Sequence, residues 1–281
     1  MDDRPLGIFD SGIGGLTVLH ALRRLLPDEG AIYFGDVARL PYGPRPQEQV
    51  RLFSHEIVAF LRERHGVKAV VIACNTGSAA ALESLRQAHP ALPIVGVIEP
   101  GARAAVAAST NKRIGVIATQ GTIGSGAYTR AVHAVAPEAV VFPRACPRLV
   151  PLVEAGQTTG LAVDAVLDDD LTSLVDAGID TLILGCTHYP LLHGAVAASL
   201  RRLSGHDDIT VVDSADSTAR ETAALLDARG LRAMTGAAGT LQRVYTSGSP
   251  LEFQALAARL FGTHSGLVEH AASDAVPVAP V

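Results

Sequence analysis

Short runs of Val and Ile alternate along the chain with longer stretches in which apolar residues recur every three to four positions. The short runs predict strands and the longer stretches predict amphipathic helices; such alternation is typical of parallel α/β sheets. The predicted strands are Leu6–Phe9, Ala31–Phe34, Ala69–Ala73, Ile94–Val97, Ile114–Ala118, Val140–Pro143, Thr181–Leu184, Thr210–Val212 and Val244–Thr246. The predicted helices are Leu16–Leu26, Gln47–His65, Gly77–Ala88, Gly126–Val135, Gly160–Ala177, Leu191–Arg202, Ser217–Arg229 and Leu251–Leu260.

A weak internal repeat divides the chain into two halves. The segment that begins at Gly7 resembles the one at Gly115, and the segment at Val70 resembles the one at Leu182, with offsets of 108 and 112 residues. A duplication would produce this, and so would shared α/β patterning alone. We expect two pseudo-symmetric lobes, each a mainly parallel sheet flanked by helices, with the active site in the cleft between them. The expected first lobe is 1–98 plus 212–262, the second is 99–211, and 263–281 is expected to be a flexible tail.

Composition narrows the class of protein. The chain has 281 residues, 48% of them hydrophobic, and a net charge of -5 without a basic face to neutralise phosphates. No basic segment followed by an apolar stretch opens the chain, and the longest apolar runs are far below the roughly 20 residues of a membrane span. We therefore expect a cytoplasmic protein with a small-molecule substrate and with neither a nucleic acid nor a membrane as partner.

Two of the three cysteines share one sequence context. Cys74 and Cys186 each follow an apolar strand and precede a helix, with small polar residues after them. Ligands of open α/β sheets bind at this edge, and a thiol near a helix N-terminus is expected to have a lowered pKa. The pair is predicted to be chemically active; the alternative is that each is a small buried apolar residue. Cys146 has no counterpart and is predicted to be structural.

Other polar residues leave more than one interpretation open. Asp10 opens a glycine-rich turn whose spacing fits neither the dinucleotide nor the Walker fingerprint, and it is either a helix cap or a carboxylate beside a thiol. His188 is a proton donor, a base or a structural histidine. Glu154 is one acidic residue among many, and by itself it is typical of a solvated surface carboxylate.

The sequence shows no motif that is typical of a cofactor site or a metal site. Neither of the two lysines, Lys68 and Lys112, stands at the carboxyl end of a strand, where a Schiff base with pyridoxal phosphate would need it. No Cys-x-x-Cys or His-Glu-x-x-His pattern supplies metal ligands. We expect a reaction that uses neither a cofactor nor a metal.

Seven dispersed motifs, taken together, resemble the glutamate racemases, a branch of the aspartate, glutamate and hydantoin racemase family. They stand in the family's order and span nearly the whole chain. Asp10-Ser-Gly and Pro41-Tyr-Gly43 favour the glutamate branch. The motifs are Gly7–Val18, Tyr33–Gly43, Ala73–Thr76, Gly96–Gly101, Val150–Glu154, Gly185–Leu192 and Val212–Ala215.

This resemblance implies specific roles. Cys74 would exchange the α-proton of D-glutamate and Cys186 that of L-glutamate, from opposite faces. Asp10 would assist Cys74, while Glu154 and His188 would assist Cys186. The substrate would be held by Asp10, Ser11, Pro41, Tyr42, Gly43, Asn75, Thr76, Thr119, Thr122, Thr187 and His188. The resemblance also implies a role in D-glutamate supply for peptidoglycan, and homodimers are common in the family. A related racemase of aspartate or a hydantoin, and a binding protein without turnover, are the alternatives.

Overall fold

The computed structural model describes residues 1–234, 242–262 and 268–271. The strands are β1 Leu6–Asp10, β2 Ala31–Gly35, β3 Ala69–Ile72, β4 Ile94–Gly96, β5 Arg113–Ala118, β6 Val140–Ala145, β7 Thr181–Gly185, β8 Thr210–Asp213, β9 Gln242–Thr246 and β10 Val268–His270. The α-helices are α1 Leu16–Leu25, α2 Gln47–His65, α3 Asn75–Ala88, α4 Ile98–Ala108, α5 Gln120–Gly124, α6 Ala127–Val135, α7 Leu149–Glu154, α8 Leu161–Asp176, α9 His193–Ser204, α10 Ala215–Ala228 and α11 Pro250–Phe261. Short 3-10 helices lie at Val37–Arg39 and Tyr189–Leu192.

Two separate parallel sheets organise the molecule. The first has six strands in the order β10-β9-β2-β1-β3-β4, and the second has four in the order β6-β5-β7-β8. All of their neighbouring strands pair in parallel. The predicted α/β architecture of two lobes with helix-flanked parallel sheets is thus confirmed.

Helices cover both faces of each sheet, which explains the strands that are apolar at every position. In the first lobe, α1, α10 and α11 pack on one face and α2 and α3 on the other. In the second lobe, α7, α8 and α9 cover one face and α4 and α6 the other. The central strands β1, β2, β3 and β7 are buried throughout, whereas the outer strands β6 and β8 of the second sheet are half-exposed.

The sequence pattern did not predict four elements of the structure, α4, α5, α7 and β10. Pro100 and Gly101 suggested a boundary, yet they lie in the first turns of α4, where proline is tolerated. The helices α5 and α7 are too short to show a period. The expectation of a flexible tail over 263–281 is wrong for Val268–His270, which pairs with β9. Residue 271 follows this strand, and the other parts of the expected tail, 263–267 and 272–281, lie outside the described residues.

The chain crosses between the lobes twice. It leaves the first sheet after β4 through α4, and it returns between β8 and α10, which packs against α1. Residues just after β1, β3, β5 and β7 line one cavity, so the carboxyl ends of these strands face each other across the cleft. Among the described helices, none is long and apolar enough to cross a membrane.

Candidate active site

A small cavity lies where the carboxyl ends of the two sheets meet. Its volume is about 30 Å³, room for only a few water molecules and far below the roughly 300–1,000 Å³ of typical ligand pockets. In this arrangement, here called the closed form, the cavity is too small for an amino acid. Its lining residues are Ser11, Leu40, Pro41, Tyr42, Gly43, Cys74, Asn75, Thr76, Thr119, Val150, Cys186, Thr187 and His188.

A larger groove of about 420 Å³ lies elsewhere, between α3, α4 and α6. Its lining includes arginines and glutamates on an apolar floor but neither Cys74 nor Cys186. Because size alone carries no chemistry, we identify the candidate site by the two thiols.

Cys74 caps the N-terminus of α3. Its Sγ accepts a hydrogen bond from the backbone N–H of Gly77 at 3.3 Å and lies 3.8 Å from the hydroxyl of Ser11. Burial raises the pKa of the Cys74 thiol and the nearby Asp10 carboxylate raises it further, outweighing the N–H of Gly77. The expected lowering of this pKa is thus wrong for the closed site, and Cys74 is a protonated thiol there.

Cys186 stands one residue beyond β7 and forms a row with a histidine and a glutamate. Its Sγ lies 4.0 Å from Nδ1 of His188, whose Nε2 is 3.3 Å from Oε1 of Glu154 at the end of α7. The second contact lacks hydrogen-bond geometry, so we treat it as an ion pair. Burial lowers the pKa of His188, but Cys186 and Glu154 raise it more strongly, to about 10. An imidazolium beside Cys186 can stabilise a thiolate by its charge.

Asp10 lies at the end of β1 and contacts both the turn before α1 and the loop after Cys186. Its Oδ2 accepts from the N–H of Gly15 at 2.7 Å, just before α1, and from the hydroxyl of Thr187 at 3.3 Å. Its Oδ1 accepts from Ser11 at 3.4 Å. The turn needs glycine here because a Cβ at Gly14 would lie 2.5 Å from the hydroxyl oxygen of Thr187. The carboxylate therefore lies between the first lobe and the Cys186 loop.

Three threonine hydroxyls meet across the cleft. Thr76 on α3 lies 2.9 Å from Thr119 and 3.1 Å from Thr122, and the latter two are 3.0 Å apart. In this closed form the hydroxyls satisfy one another. They form a cluster of donors, here called the threonine triangle, that a carboxylate could occupy once the lobes part.

The loop after β2 forms another wall. Tyr42 lines the cavity, and its hydroxyl donates a hydrogen bond to Asp36. The buried Asp36 also accepts from Arg39 at 2.7 Å and from Ser247 at 2.7 Å. The carbonyl of Gly43 accepts from the N–H of Gly121 in the second lobe at 2.8 Å. Pro41 lines the cavity between these anchors.

The structure brings every sequence-predicted site residue to this region, including Glu154 behind His188 and Thr122 behind Thr119. It also adds two residues that the sequence did not indicate: Asp36, and Tyr128, whose hydroxyl donates to Oδ1 of Asn75 at 2.7 Å. Tyr128 had no signal in the sequence, because it acts through a contact between distant segments. Asp36 contacts Arg39 and Tyr42 within its own loop and Ser247 far along the chain, but a polar loop alone did not single it out. Cys146 is buried in the second-lobe core and does not line the cavity. No cluster of metal-ligating side chains occurs in residues 1–234, 242–262 and 268–271.

Comparison with known proteins agrees with this geometry. A sequence model of the Asp/Glu/Hydantoin racemase family matches residues 14–222. The chain is 46% identical to a glutamate racemase of Levilactobacillus brevis, over 92% of this chain and 91% of the relative. It is 47% identical to one of Beutenbergia cavernae, over 93% and 91% of the two chains.

Solved structures also match over nearly the whole chain. A glutamate racemase of Bacillus anthracis matches with a TM-score of 0.84 and 38% identity, covering 97% of this chain and 98% of its own. One of Francisella tularensis, solved in complex with D-glutamate, matches with a TM-score of 0.88 and 34% identity, covering 98% and 100%. The resemblance seen in the motifs is thereby confirmed, and the chain belongs to the aspartate/glutamate/hydantoin racemase family of isomerases.

Proposed function

We propose that this chain interconverts L-glutamate and D-glutamate by a two-thiol proton transfer at the α-carbon. The observation that carries the proposal is that Cys74 and Cys186 line one closed cavity from opposite lobes. Racemisation without an electron sink needs a base and an acid on opposite faces of the α-carbon, held in place before the reaction. Relatives named glutamate racemases support glutamate as the substrate.

A protonated Cys74 and a charged His188 in the closed site suit one direction of the reaction. With L-glutamate bound, the Cys186 thiolate takes the α-proton, and the Cys74 thiol gives its proton to the opposite face. The C–H electron pair stays on the α-carbon and forms the new C–H bond, so the product is D-glutamate, with Cys186 as thiol and Cys74 as thiolate. The imidazolium of His188 stabilises the first state, and the raised pKa of Cys74 supplies the proton donor.

Binding groups surround the two thiols. We assign the substrate ammonium to Asp10, whose neutralisation would remove the charge that raises the pKa of Cys74. We assign the carboxylates to the threonine triangle, to Asn75 and to the hydroxyls of Ser11 and Thr187. Among these donors, the hydroxyls of Ser11 and Thr187, next to the two thiols, also stabilise the negative charge that develops at the α-carbon as the proton leaves. Closure of the lobes then excludes water that would compete for the proton.

The decisive experiment is incubation of the purified, dialysed protein with L-glutamate in D2O, without added cofactor and with a chelator. We expect loss of optical rotation together with α-deuterium incorporation, and loss of racemisation in both Cys74→Ser and Cys186→Ser. Cys146→Ser is the matched control and should keep its activity. Racemisation that survived both serine variants would refute the two-thiol mechanism. Inactivity on glutamate with turnover of aspartate or a hydantoin would refute the substrate.

The cellular role follows from the product. We propose that in a bacterial cytoplasm, where free thiols stay reduced, the enzyme supplies D-glutamate for peptidoglycan. Expression of the chain should restore growth of a bacterial strain that requires added D-glutamate, and Cys74→Ser should not. Growth restored equally by the serine variant would contradict this role.

A further inference from the structure

A buried chain of polar groups joins the two lobes behind the candidate site. Tyr128 on α6 of the second lobe is 3% exposed, and its hydroxyl lies 2.7 Å from Oδ1 of Asn75 on α3 of the first lobe. The same hydroxyl lies 3.2 Å from Oγ of Ser214, where the chain returns to the first lobe. The residue after Cys74 is therefore tied to a helix of the opposite lobe.

The direction of donation along this chain follows from its members. Tyr128 donates its only hydroxyl proton to Oδ1 of Asn75, so in the 3.2 Å contact the hydroxyl of Ser214 donates to the oxygen of Tyr128. Burial raises the pKa of Tyr128, so the phenol keeps its proton and gives it to Oδ1 of Asn75. Once its oxygen is engaged, an asparagine amide must direct its two N–H groups the other way. Asn75 lines the cavity that contains both thiols.

The ring of Tyr128 has a second contact with the site. A Cβ at Gly185, the residue before Cys186, would lie 2.9 Å from Cε2 of this ring. One side chain thus packs against the strand end that carries Cys186 and hydrogen-bonds the residue that follows Cys74. The position of Tyr128 is therefore set by the residue before Cys186 and by the residue after Cys74.

We infer that Tyr128 is a positioning residue that holds the amide of Asn75 so that its N–H groups face a carboxylate of the bound substrate. The inference rests on the proposed function, since glutamate supplies that carboxylate. Tyr128 itself does not line the cavity and acts through Asn75. The bond spans the lobes, so the amide is oriented when the lobes are together.

Removal of the phenolic hydroxyl alone separates this role from packing. Tyr128→Phe keeps the ring and leaves the Asn75 amide free to rotate, so we expect KM for glutamate to rise about tenfold in both directions. The value of kcat should change little, because a carboxylate contact that is equal in the ground state and the transition state affects KM. Loss of kcat with KM unchanged would overturn the inference.

A double-mutant cycle distinguishes positioning from a general structural effect. If Tyr128 acts through Asn75, Tyr128→Phe should raise KM no further in an Asn75→Ala background. Ser214→Ala keeps the bond between Tyr128 and Asn75, and Tyr189→Phe removes a different buried tyrosine hydroxyl, so both controls should keep KM near the wild-type value. Additive effects in the cycle, with all variants folded by thermal melting, would refute the inference.

A direct reading of the amide is also available, because the chain contains only two asparagines, Asn75 and Asn111. Selective ¹⁵N labelling of asparagine gives two side-chain NH2 signals, assigned with Asn111→Ser. Tyr128→Phe should shift or broaden the Asn75 signal and leave that of Asn111 unchanged; an unaltered Asn75 signal would overturn the inference. This measurement needs no turnover. A wild type that failed to racemise glutamate would refute the proposed function, while the NMR comparison would still decide whether Tyr128 holds the amide.

Discussion

The contact between Gly43 and Gly121 gives a way to test whether full closure of the lobes is required for the reaction. A Cβ at Gly121 would lie 2.6 Å from the carbonyl oxygen of Gly43, against an ordinary contact of 3.4 Å or more. Gly121→Ala must therefore separate the lobes locally by about 0.8 Å, which lengthens the 2.8 Å bond from Gly121 N to Gly43 O beyond hydrogen-bond range. The walls that hold the substrate then cannot meet.

The expected magnitude is large for so small a change. A misplacement near 1 Å in a preorganised site costs about 10²-fold in rate, so we expect kcat/KM for glutamate to fall by about that factor. Gly124→Ala in the same short helix is the matched control, because its Cβ would meet nothing within 4 Å. Coupled-enzyme assays in both directions measure the effect, and thermal melting checks the fold. Equal activity of the two alanine variants would refute the view that closure at Gly43 aligns the site.

Three further predictions concern charge and stability. Glu154→Gln removes a carboxylate that raises the pKa of His188. The alkaline limb of the plot of kcat/KM against pH, expected near pH 10, should therefore move to lower pH. A limb that did not move would contradict the contact between Glu154 and His188. Asp36→Asn weakens the buried acceptor of the hydrogen bonds from Arg39, Tyr42 and Ser247. The free energy of unfolding measured in urea should fall by about 1–3 kcal/mol, and KM for glutamate should rise. Unchanged values of both would count against a role for these hydrogen bonds. Lys68→Met leaves the buried Glu29 unpaired and should destabilise by about 3–5 kcal/mol, whereas Lys68→Met with Glu29→Met should unfold close to the wild type; similar losses in both would contradict this.

The fold was largely predictable because its central strands are apolar at every position and its helices have a clear period. The helix α2 was predicted with the bounds it has in the structure, Gln47–His65. Failures occurred where local chemistry points away from the observed element. Pro100 and Gly101 are typical of a boundary but lie inside α4, and β10 has only three residues, too few for an alternating pattern.

The residues of the candidate site also fall into those that the sequence predicted and those that it did not. Cys74, Cys186 and Asp10 were predicted because each stands at the carboxyl end of a strand, a position that sequence order reveals. The raised pKa of Cys74 was not predicted, because the extent of burial depends on how the lobes close. Tyr128 was missed since its partner is distant in sequence, and no spacing rule connects residue 128 with residue 75. Asp36 was missed although Arg39 and Tyr42 are near it in sequence, because its complete burial beneath that loop is set by the fold.

The strand order of the first sheet has a consequence for biosynthesis. The second sheet is built from one continuous stretch, 113–213, so it can be completed while the rest of the chain is still being made. The first sheet must wait for β9, which lies beside β2 although some two hundred residues separate them in sequence. Until β9 leaves the ribosome, the apolar strand β2 is an open edge, a state that favours aggregation. We therefore expect the nascent chain to be most prone to aggregation in the interval before β9 emerges.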